Sequence, residues 1–164
     1  MNTLSFGSQG PQVQLLQAAL LRAGHNPGKI DGIFGSNTQN AVIAFQRDNG
    51  LAADCLVGSK TWAALHPYLT GYITHTIAQG DTFYKLAKKY GSSVHAVAAA
   101  NPQYTPENLP VGGKLIIPLP FDVVFGNIDY SSQVLELEIE GLKARYPFIE
   151  LETIGKSVLG KPLQ

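Results

Sequence analysis

One stretch of this chain repeats itself, and the repetition limits what the first seventy residues can become. The segment from Asp31 reads D-G-I-F-G-S-N-T-Q-N-A-V-I-A-F, and the segment from Asp54 reads D-C-L-V-G-S-K-T-W-A-A-L-H-P-Y. Asp31/Asp54, Gly35/Gly58, Ser36/Ser59, Thr38/Thr61 and Ala41/Ala64 recur in register. Each copy is predicted to be a loop feeding a helix. The Asp accepts backbone N–H groups in a turn, the Gly takes unusual dihedrals, and the Ser serves as N-cap. Ser36 and Gln39 have the spacing of a capping box. Behind the caps, Ala41, Val42 and Phe45 match Ala64, Leu65 and Tyr68 on one helix face. Upstream, Pro11 opens a helix striped by Val13, Leu16, Leu20 and Ala23 and closed by Gly24. The expectation is a three-helix unit over residues 1–70, with Trp62 in its core and Pro67 stopping a short third helix. Such a unit buries only about 60% of its unfolded surface and is marginal alone.

Residues 71–119 follow a different pattern. Tyr72, Ile73, Thr74, His75, Thr76 and Ile77 alternate like a strand, and Gln79-Gly80-Asp81-Thr82 turns the chain into a helix. Phe83, Leu86, Ala87 and Tyr90 fall at i, i+3, i+4 and i+7, and Gly91 closes that helix. Ser93 caps a second helix with Val94, Val97, Ala98 and Asn101 inward, and Pro102 ends it. Leu115-Ile116-Ile117-Pro118 supplies the returning strand. So short an order of strand, helix, helix, strand requires antiparallel strands with both helices on one face.

Residues 120–164 are entered through the stiff connector Pro118-Leu119-Pro120-Phe121. Tyr130-Ser131-Ser132 then caps a helix carrying Leu135, Ile139, Leu142 and Tyr146. Glu136, Glu138 and Glu140 are expected on its solvated side. Residues 148–154 suggest a strand, Gly155 a turn, and residues 157–163 the start of a hairpin. A helix with one and a half strands cannot cover its own apolar faces. Its helix must therefore dock on the preceding unit or on a second copy of the chain.

Charge narrows the partners. Twelve basic and twelve acidic side chains cancel, and charged residues make up only 15% of the chain. That removes the electrostatic footprint of a protein holding nucleic acid or an anionic membrane surface. No run approaches the roughly 18 apolar residues of a membrane span, and MNTLSFGSQG lacks the marks of a secretory signal. A neutral polar ligand is the expected partner. The one cysteine, Cys55, cannot form an intramolecular disulfide.

Residues 4–69 resemble the small three-helix peptidoglycan-binding domain of bacterial wall hydrolases. The match runs through Gly10, Val13, Leu16 and Gln17 (G-x-x-V-x-x-L-Q), then D-G-x-F-G-x-x-T, A-V-x-x-F-Q and a closing G-x-x-T-W. It departs at Cys55, where the pattern has Gly. Residues 72–118 resemble a LysM domain through Gly80-Asp81-Thr82, Ala87, Tyr90-Gly91, Asn101-Pro102 and Gly113-x-Leu115-x-Ile117-Pro118. That resemblance implies binding of N-acetylglucosamine-containing glycans. Residues 130–163 are similar to the opening of zinc carboxypeptidases through I-G-K-S-x-x-G-K-P-L at 154–163. Beside two wall-type modules, this resembles bacterial gamma-D-glutamyl-diamino acid endopeptidases, which cut the stem peptide of peptidoglycan.

The resulting expectation is an α+β multidomain chain: a three-helix peptidoglycan-binding domain, a βααβ LysM domain, and the truncated start of an α/β zinc carboxypeptidase domain. The parent protein would carry zinc at the bacterial cell wall, outside the cell or in the spore, while this chain would bind without cutting. A zinc peptidase needs a His and a carboxylate three residues apart plus a distant His. His25, His66, His75 and His95 form no H-x-x-E, so no catalytic residue and no metal ligand is assigned here. Cys55 has no evident base, and Asp31 and Asp54 have structural work in their turns. The competing expectation is a stand-alone glycan, chitin or protein-interaction adaptor.

Glycan binding asks for backbone donors and acceptors in a shallow groove, small residues for close approach, and a flat apolar face. Gly80, Asp81 and Thr82 supply one loop, and Asn101, Pro102, Gln103 and Tyr104 another, with Leu109 and Pro110 closing it. In the first unit Asp31, Gly32, Phe34 and Gly35 could border a second groove.

Overall fold

The computed structural model describes residues 1–126 and 128–150, and the backbone of 155–156 and 162–163. Three helices, α1 (Pro11–Arg22), α2 (Ser36–Asp48) and α3 (Ser59–Thr70), form the first unit. Val13, Leu16, Leu20, Phe34, Val42, Phe45, Leu65 and Leu69 are fully buried between them, and Trp62 joins the same core. Short bridges Leu4↔Val57 and Gln9↔Ile33 tie the N-terminal segment across both repeat loops.

Two expectations for this unit are corrected. Ser36 and Ser59 are the first helical residues rather than caps. The caps are Gly35 and Gly58, both extended and without a side-chain cap bond, so no capping box forms at Ser36. Phe34 is already paired strand-like with Gly7 and Ser8, which holds the chain extended until the glycine. Pro67 does not stop α3. Ala63, whose carbonyl loses its helical partner to the proline, is exposed, while Leu69 and Thr70 are buried. Packing therefore carries the helix on to Gly71, which ends it in the left-handed conformation.

The second unit has the expected order: β1 (Tyr72–Thr76), α4 (Phe83–Tyr90), α5 (Val94–Ala99) and β2 (Lys114–Pro118). The strands pair antiparallel from Tyr72↔Pro118 to Thr76↔Lys114. Thr82 caps α4 by accepting from Lys85 N, and Ser93 caps α5 by accepting from Ala96 N. Ile77, Phe83, Leu86, Ala87, Val97, Leu115 and Ile117 form its core. Val94, expected inward, is exposed, because the first residue after the cap lies at the rim of this short helix.

Helix α6 (Ser132–Arg145), capped by Ser131, is rotated about its axis from the expected stripe, with Ile139 and Leu142 half-buried. Leu135 and Tyr146 are exposed, while Val134, Leu137, Glu138 and Gly141 are buried. The surface it covers offers polar donors as well as apolar atoms. Glu138, expected in solvent, accepts from Phe125 N and from the Tyr130 hydroxyl, both at 2.8 Å. Docking is also broader than expected. Val134 and Leu137 join the core of the first unit, and α6 packs on α3 as well as on β1 and β2.

Two arginines complete this junction. Arg145 donates to the carbonyls of Gly71 (2.7 Å) and Leu119 (2.6 Å), which flank the second unit. Arg22 of α1 donates to the carbonyls of Tyr68 and Asp122 and lies 3.7 Å from the Phe125 ring centroid. Burial, with Arg145 nearby, pushes the Arg22 guanidinium down to about 10. The connector 121–125 and α6 thus brace both units.

The brace has an alkaline limit. Tyr72 donates to Glu140 Oε1 at 2.8 Å, and burial, then this bond, push its phenol up to about 12. A phenol raised in the folded state adds stability that is complete below its ordinary value near 10 and is lost as pH rises towards 12. Tyr130 is also raised, through its bond to Glu138, so spectroscopic titration of tyrosinate should show late-ionising tyrosines of which Tyr72 belongs to the last step, accompanied by loosening of α6, and Tyr72→Phe should remove that contribution.

β3 (Gly155–Lys156) pairs antiparallel with β4 (Pro162–Leu163), so Gly155, expected as a turn, lies in a strand instead. The strand expected over 148–154 does not extend through Phe148 to Glu150, and its remainder, 151–154, lies outside the described residues, as do 157–161.

Candidate functional site

The repeat is held together by a residue that the in-register comparison does not reach. Gln17, fully buried on α1, donates through Nε2 to Asp31 Oδ1 (3.0 Å), the Ile33 carbonyl (3.1 Å) and Thr38 Oγ1 (3.1 Å), and its Oε1 accepts from Gly32 N (2.9 Å). Gln46 on α2 repeats the set with Asp54, Leu56, Thr61 and Cys55 N at 3.1–3.2 Å. One side-chain amide therefore fixes each loop to the helix before it and the helix after it. The Gln17 bond, then Ile33 N, lowers the Asp31 carboxyl below its usual range.

Beside the first bracket lies a cleft of about 540 Å³. Asp31 and Gly35 line it together with Asn26, Lys29, Ser36 and Asn37. Gly32 and Phe34 do not face it. Phe34 is a fully buried core residue, and Gly32 turns the loop at φ 74°, where an added Cβ would crowd Gln14 and the Gly10 carbonyl. Of the four candidates in this unit, two reach the cleft and two shape it.

In the second unit the two predicted loops are joined at their roots. Ile77 N donates to the Gly113 carbonyl and Gly112 N donates to the Ile77 carbonyl, at 2.9 and 2.8 Å. The candidates again divide between shaping and exposure. Asn101 is fully buried and donates to the carbonyls of Val97 and Ile116 while accepting from Ile116 N, so every hydrogen-bonding group of its side chain is engaged. Asp81 Oδ2 accepts from Ala78 N and meets His75 Nε2, both at 2.8 Å, and these partners hold its carboxyl low. Thr82 caps α4. Tyr104 and Leu109 are half-buried against the core. Gly80, Pro102 and Gln103 are exposed and remain free to meet a ligand through backbone and ring faces. Asn101→Ala should accordingly cost about 2 kcal/mol in chemical denaturation, since it strands buried carbonyls and an N–H group.

Among the described residues, no group of three or more His, Cys, Asp or Glu side chains could hold a metal ion, so the residues present do not fit zinc. Cys55 is buried, and desolvation pushes its thiol up, the reverse of what a nucleophile requires. Among the described residues, no helix is long and apolar enough to cross a membrane.

The helical unit and the strand-helix-helix-strand unit make a chain of two small modules, each of which matches a family model. Residues 9–65 match the family model of the peptidoglycan binding domain, and residues 75–118 match that of the LysM domain. The chain is 41% identical over 81 residues to the spore cortex-lytic enzyme of Bacillus subtilis, covering 47% of this chain and 27% of that protein. It is 36% identical over 106 residues to the spore cortex-lytic enzyme of Bacillus cereus, covering 65% and 39%. It is 44% identical over 57 residues to the N-acetylmuramoyl-L-alanine amidase CwlM of Mycobacterium tuberculosis, covering 35% and 14%. The chain thus spans well under half the length of each.

Proposed function

We propose that this chain holds a cell-wall hydrolase on peptidoglycan in the bacterial wall or spore. The observation that carries the reading is the joining of a peptidoglycan-binding unit and a LysM unit by one buried brace, with exposed loops on both. Linking two weak modules raises the effective concentration of each for a polymer, so modest affinities suffice to localise an enzyme. The relatives, named for amidase and cortex-lytic activity, support a hydrolytic partner domain.

The partner domain we favour is a zinc carboxypeptidase-like endopeptidase cleaving stem peptides. What supports it is the I-G-K-S-x-x-G-K-P-L motif at 154–163 together with the antiparallel pair β3 and β4. In this reading the catalytic residues and the zinc belong to a part of the protein outside this chain. Within the second unit, Gly80, Asp81, Thr82, Asn101, Pro102, Gln103, Tyr104 and Leu109 build the glycan groove, most of them by fixing the loops.

Cosedimentation with purified insoluble sacculi tests the reading. The chain should pellet at low and moderate salt, because recognition of the uncharged glycan strands is weakly screened. Chitin oligomers should release only part of it. Complete release by chitin oligomers would favour the adaptor reading, and a chain that stays in the supernatant would refute wall binding.

A further inference from the structure

We propose that the first unit carries a second binding cleft, the repeat counterpart of the one at Asp31, and that it takes a short peptide with small aliphatic side chains and a free carboxylate. The inference rests on the peptidoglycan reading and adds a site to it. The second cleft, of about 290 Å³, lies against the Gln46 bracket. Nine of its lining positions are repeat partners of positions lining the first cleft: eight share the offset of Asp31 and Asp54, and the ninth is the bracket glutamine. Duplication has therefore produced the same concave scaffold twice.

The loop below the second cleft keeps its geometry against residue preference. Cys55 occupies the position of Gly32 and is the one non-glycine residue with positive φ among those described, at 63° against 74° for Gly32. A non-glycine residue there costs on the order of 1–3 kcal/mol. Cys55 N nevertheless donates to Gln46 Oε1, as Gly32 N does to Gln17. The bracket imposes the loop shape that the cleft requires.

The walls differ in chemistry. The first cleft is completed by Asn26, Gly28 and Lys29 and presents Asn37 at its mouth, a polar set. The second has Leu51 and Ala52 where the first has Gly28 and Lys29, and Lys60 where the first has Asn37, while Leu56 and its partner Ile33 are half-exposed alike. Asp54 faces this cleft too, but its Oδ1 already accepts from Gln46 and Leu56 N. Lys60 makes no ion pair among the described residues. The apolar Leu51 and Ala52 wall beside the unpaired Lys60 ammonium matches an alanine-bearing peptide ending in a carboxylate, whose charge a neutral sugar lacks.

The test titrates the ¹⁵N-labelled full chain with three probes: a synthetic Ala-γ-D-Glu-Lys-D-Ala tetrapeptide, its C-terminal carboxamide, and chitotetraose. The tetrapeptide should shift the amides of Leu51, Ala52, Ser59 and Lys60. The carboxamide, and the tetrapeptide with Lys60→Glu, should bind about fivefold more weakly, the size of an exposed charge pair. Ala52→Trp, at an exposed wall position, should abolish these shifts while leaving the remaining spectrum in place. Tetrapeptide shifts confined to the first cleft or to the Gly80 and Gln103 loops, in a chain that still pellets with sacculi, would overturn the second cleft and leave the peptidoglycan reading standing. Equal shifts at the second cleft from chitotetraose would overturn its peptide preference. No shift from any probe in a chain that also fails to pellet would overturn both.

Discussion

Gln17→Leu is expected to destabilise the first unit by about 3 kcal/mol. The substitution keeps volume but removes four hydrogen bonds at one buried point. Gly32 N loses its acceptor inside the protein, and Thr38 and Asp31 lose a shared donor. A buried group left unpaired costs about 1–3 kcal/mol, but Asp31 is exposed and retains Ile33 N, so water offsets part of the loss. Gln46→Leu should behave alike, because its partners are equivalent. Urea denaturation checks this, with an unchanged slope and a lower midpoint expected for both. A loss below about 1 kcal/mol would mean that the loops are held by packing and that the brackets are incidental.

Gly141→Ala should detach α6 from the two modules. An added Cβ would overlap the Thr70 carbonyl and press on Val123, and neither a backbone carbonyl nor a buried connector can move aside. Overpacking of this kind costs about 1–3 kcal/mol. Undocking would free Glu138, Glu140 and Arg145 from their partners in the junction. The amides of Leu119 and Phe125 should then lose protection from hydrogen exchange, while Leu16 and Leu115 keep theirs. Intact protection at Phe125 would show that α6 shifts to accommodate the methyl group and that the brace is not rigid.

The sequence makes the two modules legible because their signals are local. The alternation of Tyr72 to Ile77, the Thr82 and Ser93 caps and the Phe83/Leu86/Ala87/Tyr90 face each act within a few residues, and each appears as expected. The brackets are harder to read because they are not local. The loops they span differ in length, so Gln17 and Gln46 fall out of register when Asp31 is aligned with Asp54. Their visible trace is a glutamine directly following an apolar pair, as in L-L-Q and A-F-Q. The face of α6 misleads for a different reason. Binary patterning assumes that a buried surface is apolar, whereas this one buries Glu138 against backbone and hydroxyl donors.

The same division separates the candidate site residues. Asn101, Gly32 and Phe34 carry the motif because they set loop shape, and Gly80, Gln103, Asp31 and Gly35 lie where a ligand can reach. Sequence pattern alone does not distinguish residues that shape a loop from residues that the loop presents.

The most direct measurement is hydrogen exchange of the chain bound to insoluble sacculi, compared with the free chain. Slower exchange should appear at Gly80, Asp81, Gln103 and Tyr104 and around Asp31 and Gly35, with Leu135 and Tyr146 on the outer face of α6 unchanged. Equal exchange at both loop sets, in a chain that nonetheless sediments with the wall, would contradict recognition through these loops.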